Sequence, residues 1–116
     1  MRPLRCFSLL LGARNTPGAG QHFAPEDDER LREVTFRHFP AGFTVLNAEG
    51  GWFDPDRGFI AEESRQILVC APTLAAVRRW CRELAQVLRQ KELLVVEMGT
   101  AATFRPSGNR LKPKRG

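Results

Sequence analysis

Tyrosine does not occur in this chain of 116 residues, histidine occurs twice and cysteine three times. Cys6, Cys70 and Cys81 form no C-x-x-C pair, and with only His22 and His38 beside them no four-ligand zinc set is spaced along the sequence. No Ser-His-Asp order, phosphate-cradling glycine loop or dinucleotide fingerprint occurs, and Gly18-Ala19-Gly20 is too short a match to count as one. Neither a metal nor a cofactor is therefore expected. Long apolar runs are lacking too: none approaches the roughly 18 residues of a membrane-spanning helix, so no membrane partner is expected.

Hydrophobic residues make up 42% of the chain and charged residues 27%, the balance of a soluble globular domain. The net charge of +5 suggests a polyanion until its position is examined. Arg105, Arg110, Lys112, Lys114 and Arg115 account for it, because the other 13 basic residues balance the 13 acidic ones. Residues 105–116 also hold Pro106, Gly108, Pro113 and Gly116, a composition too polar to fold. The expected organisation is one domain over 1–104 and a basic disordered tail over 105–116, which solubilises the chain or binds a polyanion.

Arg2 and Arg5 before the apolar run Cys6 to Ala13 imitate a secretory signal. The run is short, Ser8 interrupts it, and no small-x-small cleavage site follows, so a cytoplasmic protein is expected rather than a secreted or periplasmic one. Cys6 and Cys70 lie in apolar strand-like runs and Cys81 on a helical stripe. All three are expected to be buried reduced thiols.

Arg5 to Gly12 reads as a strand, and Ala13 to Ala24, with Asn15, Pro17, Gly18 and Gly20, as a loop. Pro25 followed by Glu26, Asp27, Asp28 and Glu29 opens a helix that runs to His38, with Leu31, Val34, Thr35 and His38 on one face. Phe43 to Leu46 and Ser64 to Cys70 read as an antiparallel pair joined by a long connection rich in turn residues, although Trp52 and Phe53 can extend the first of them past a glycine bulge. Thr73 caps a second helix, whose stripe Leu74, Val77, Cys81, Leu84 and Leu88 adjoins Trp80. Leu93 to Met98 forms a last strand.

The order βαββαβ is that of an α+β, ferredoxin-like split βαβ domain: a four-stranded antiparallel sheet with both helices on one face. Its first and third strands are central. Phe7, Leu9 and Leu11 alternate with Cys6, Ser8 and Leu10, so apolar residues stand on both faces, and the face without helices calls for a partner. A homo-oligomer, with a dimer favoured, is the expected state.

From Phe39 to Val69 the chain carries Phe39-Pro40-x-Gly42, Thr44-Val45, Gly50-x-Trp52 and Glu62-x-Ser64-Arg65. In these residues it resembles an uncharacterised bacterial family of small domains, domain of unknown function 3574, over residues 5 to about 98. Gly12, with Arg14 two residues on, is similar to that family's strand end. Many relatives are secreted or lipid-anchored, whereas this chain lacks a lipobox cysteine. The resemblance implies fold and candidate positions, not an activity.

Those positions are Trp52, Glu62, Ser64, Arg65 and, more weakly, Arg14. Trp52 either covers an apolar ligand or caps the sheet edge. Glu62 and Arg65 are read as an ion pair fixing the connection, as a polar cluster for a small molecule, or with Glu62 as a general acid or base. Glu62, taken to begin the third strand, is expected at the edge opposite Arg14. The function expected is a small ligand-binding or protein-interaction module assembling through its open sheet face. The alternative is an enzyme of the dimeric α+β barrel type, in which two such sheets enclose a small hydrophobic substrate and Glu62, Arg65 or His38 acts on it. Whether the chain is an enzyme stays open at this point.

Overall fold

The computed structural model describes residues 4–13, 22–90, 93–102 and 106. Its elements are β1 (Leu4–Gly12), α1 (Pro25–His38), β2 (Thr44–Asp54), β3 (Gly58–Ala71), α2 (Leu74–Val87) and β4 (Leu94–Ala101). All strand pairs are antiparallel, in the spatial order β2-β3-β1-β4. The ferredoxin-like α+β fold is thus present, with β1 and β3 central. Arg14 and, apart from Pro106, the basic tail lie outside the described residues.

Strand parity divides the sheet cleanly. Phe7, Leu9 and Leu11 of β1 and Ile67, Val69 and Ala71 of β3 face the helices and are buried with Leu31, Val34, Val77, Trp80, Leu84 and Leu88. Burying each large apolar side chain there contributes about 1.5 to 3 kcal/mol. Pro25 in the first turn and Glu26, Asp27 and Asp28 beside it start α1. The Thr73 hydroxyl accepts from the Ala76 amide, 3.1 Å away, and caps α2.

The connection read as a loop is mostly strand. β2 pairs with β3 without a break from Thr44 opposite Leu68 to Asp54 opposite Gly58, so Gly50 and Gly51 interrupt nothing and no bulge forms. Gly51 leaves a gap that the Phe59 ring occupies: a β-carbon there would stand 2.2 Å from Cζ. The hairpin turns on Asp54, whose Oδ1 accepts from the amides of Asp56 and Arg57, and on Gly58 at φ +81°.

The cysteine expectation is overturned for two of the three. Cys6 faces Cys70 across the β1–β3 ladder, their Cα atoms 4.0 Å apart, and the pair forms a disulfide. Directly opposed residues at the close positions of an antiparallel ladder come within about 4.5 Å, near enough for a bridge. Cys81 stays free and half-buried, and burial pushes its thiol pKa up, which leaves it a poor nucleophile.

Three carboxylates titrate below their ordinary range. Hydrogen bonds from Arg37 and then His38 lower Glu83, the Arg5 hydrogen bond lowers Glu97, and the Asp56 amide lowers Asp54. A carboxylate with a lowered folded-state pKa stabilises the fold above its unfolded value and loses that contribution as pH falls through the folded one. The melting temperature should therefore hold steady from pH 7 down to the ordinary glutamate value of 4.5 and decline below it. Glu83→Gln should flatten that decline in a thermal titration from pH 7 to 3, and an unchanged slope would remove Glu83 from the account.

Candidate functional site

Among the described residues, clefts open at both ends of the sheet, where one strand outlasts its neighbour. β1 ends at Gly12, opposite Ser64, while β3 continues back to Gly58 with β2 alone. Beside that two-stranded ribbon lies a cleft of about 460 Å3, lined by His22, Ala48, Glu49, Ala61, Glu62 and Glu63. Glu49, Glu62 and Glu63 all contribute to its wall, Glu62 from the face without helices and Glu63 from the helix face, and this acidic lining favours a ligand that presents cationic or N–H groups over a bare anion.

Glu62 and Ser64 stand on the face without helices. Glycines clear the space around Glu62. A β-carbon on Gly12 would come within 2.8 Å of its Oε1, and one on Gly50 within 3.7 Å of its Cγ. The carboxylate thus lies across the end of β1. This overturns the expectation that Glu62 and the end of β1 occupy opposite edges: antiparallel neighbours run head to tail, so the end of one meets the start of the other. It also follows that Glu62 does not begin β3, which starts four residues earlier.

Arg65 belongs to another network. Three residues from Glu62 along a strand, it emerges on the opposite face. Its side chain is 6% exposed, and Nε donates to Oδ1 of Asp28 at 3.1 Å. Nη1 lies 3.6 Å from Oε2 of Glu63, and the guanidinium sits 4.8 Å from the Phe23 ring centre. Glu63 in turn accepts from the Phe23 amide at 2.8 Å. Arg65 therefore anchors α1 and the approach to it against β3, and the expected Glu62–Arg65 ion pair gives way to these contacts.

His38 is remote from both. Its Nε2 lies 2.8 Å from Oε1 of Glu83, bridging α1 to α2. The structure thus brings together Glu62 and Ser64 but separates them from Arg65 and from His38. Trp52 pairs with Ile60 farther out on the ribbon and is half-buried. Glu49, Glu63 and His22 escaped the sequence reading as cleft residues. The pairing of Glu49 with Glu63 across the ribbon follows only if Gly50 and Gly51 are taken as strand.

The open face carries a further feature. Leu46, Gln66, Leu10 and Leu94 form one cross-strand row, and Thr44, Leu68, Ser8 and Val96 the next. Leu10, Leu46, Leu94 and Val96 are exposed by 36%, 48%, 59% and 39%. The polar interruption is internal, since Gln66 Nε2 donates to Ser8 Oγ at 2.9 Å.

Solved structures share this architecture at low sequence identity. The periplasmic divalent cation tolerance protein CutA of Archaeoglobus fulgidus superposes with a TM-score of 0.58 at 7% identity, over 91% of each chain. A phage SAM lyase in complex with S-methyl-5'-thioadenosine gives 0.56 at 11% identity, covering 89% of this chain and 91% of its own. The GlnK–ATP complex of B. subtilis gives 0.50 at 13%, covering 83% and 82%. At such identities the likeness is one of fold. No curated protein matches in sequence. Residues 8–102 match a family described as "Protein of unknown function (DUF3574)", which takes in β1 from Ser8, both helices and the other three strands, and the chain belongs to that family.

Proposed function

We propose that this protein is a non-catalytic binding module that dimerises through the open face of its sheet and holds a small molecule in the cleft beside Glu62. The observation that carries the reading is the run of exposed apolar side chains on that face, Leu10, Leu46, Leu94 and Val96. A monomer in water would leave them unpartnered. The separation of Glu62, Arg65 and His38 onto different surfaces supports a module over an enzyme, because acid–base catalysis needs such groups to converge. That the phage lyase and GlnK were each captured with a small molecule supports a ligand role for the fold. The acidic cleft lining supports a ligand with N–H or cationic groups. The Cys6–Cys70 disulfide supports work in an oxidising compartment in preference to the cytoplasm first expected.

Sedimentation equilibrium tests the assembly. The wild-type chain should sediment as a dimer, and Leu94→Lys with Val96→Lys should weaken the dimer at least about a hundredfold, the equivalent of burying one or two fewer large apolar side chains. Glu62→Gln should leave the dimer intact. A wild-type monomer at every concentration, or a lysine variant that associates as tightly as the parent, would overturn the reading.

A further inference from the structure

The second cleft lies at the other end of the sheet. β2 starts at Thr44, opposite Leu68, whereas β3 continues to Ala71, so Val69, Cys70 and Ala71 have β1 on one side and no strand on the other. Leu4, Ala41, Gly42, Phe43, Thr44, Leu68 and Cys70 line a cleft of about 490 Å3 at that edge. None of these side chains is charged.

The two sulfurs of the disulfide stand unequally towards this space. Cys6 is 6% exposed, enclosed between β3 and β4, while Cys70 is exposed and forms part of the cleft wall. The strand order β2-β3-β1 places Cys70 between the cleft and Cys6. A nucleophile approaching from the cleft thus meets Cys70 Sγ from the side opposite Cys6, the alignment that displacement at sulfur requires.

We propose that Cys6–Cys70 is a thiol-exchangeable disulfide, opened by a small uncharged thiol that enters this cleft and attacks Cys70. The incoming thiolate forms a new S–S bond to Sγ of Cys70, the Cys6–Cys70 bond breaks, and its electron pair leaves on Sγ of Cys6. That sulfur takes a proton from water, and the Leu4 carbonyl oxygen, 3.7 Å away, accepts a hydrogen bond from it. The first exchange conserves one disulfide. A second thiol then attacks the adduct and leaves as the oxidised thiol pair, with both cysteines reduced. Thr44, Leu68 and Cys70 stand on the open face, so the inference requires that the dimer leave this end of the face uncovered.

The test uses folded wild-type protein and 2-mercaptoethanol, quenched at intervals with N-ethylmaleimide and mapped by mass spectrometry. The expected product carries mercaptoethanol on Cys70 and maleimide on Cys6, at least tenfold in excess over the reverse. Equal adducts, adducts mainly on Cys6, or opening only at denaturant concentrations that unfold the chain would each overturn the proposal. Thr44→Trp, which adds bulk at an exposed position in the cleft wall, should slow opening about tenfold, and an unchanged rate would overturn the route through the cleft.

Discussion

Cys6→Ser combined with Cys70→Ser should lower the melting temperature by roughly 15 °C. The bond links residues 64 positions apart. Closing a loop of that length removes enough conformational freedom from the unfolded chain to stabilise the fold by about 4 kcal/mol in the chain-entropy account, and measured values usually fall somewhat below it. For a domain of this size each kcal/mol shifts the melting temperature by about 4 °C. The folded state should change little, because the disulfide lies on the open face while the apolar core lies on the other. Calorimetry of the oxidised wild type against the double variant measures the drop. A thiol titration of the denatured, unreduced wild type provides the control: Cys81 alone should react, and three reactive thiols would mean that the bond had not formed. A drop smaller than about 3 °C with the bond present would show that the unfolded chain is already held by other contacts.

How much of this was legible in the residues depends on the range of the information required. α1 was readable to its ends, because Pro25, the acidic first turn and Pro40 are local signals. β1 was readable from its short apolar run closed by Gly12, and the central place of β3 from the βαββαβ order. The hairpin was read too short because Gly50 and Gly51 are turn residues in most settings. Here the strand continues through them, since β3 supplies an unbroken partner and the Phe59 ring fills the gap over Gly51. The placing of Glu62 and Arg65 on opposite faces needed only a count of three along a strand, and the ion-pair reading overlooked it. The disulfide was of another kind. Nothing in the spacing of three cysteines reveals that Cys6 and Cys70 share a rung, because the register of β1 against β3 is set by Phe7, Leu9 and Leu11 burying themselves with Ile67 and Val69. The acidic cleft shares this origin: Glu49 and Glu62 become neighbours of one concavity only after the ribbon has paired.

Trp80→Ala should cost about 3 to 5 kcal/mol and Trp80→Phe about 1 to 2. Trp80 is fully buried and meets the Phe39 ring edge to face with centroids 5.3 Å apart. Its Nε1 donates to Thr35 Oγ1 at 3.0 Å, and that hydroxyl donates on to the Leu31 carbonyl at 2.7 Å. One side chain of α2 is thereby locked to α1 by packing and by a polar chain that needs no water. Alanine removes the ring and leaves a cavity between the helices, the costlier loss. Phenylalanine keeps most of the volume and forfeits the N–H, and Thr35 still has the Leu31 carbonyl for its hydroxyl proton, so no buried donor is left unsatisfied. Urea unfolding of the three proteins separates the two contributions. If phenylalanine proves as damaging as alanine, the hydrogen bond to Thr35 and not the packing against Phe39 joins the helices. Because Trp80 and the Cys6–Cys70 bond lie on opposite sides of the sheet, their losses should add when combined. A combined loss well short of the sum would mean that the disulfide holds β1 and β3 in the spacing that the helix layer needs, and the two faces would then act as one unit.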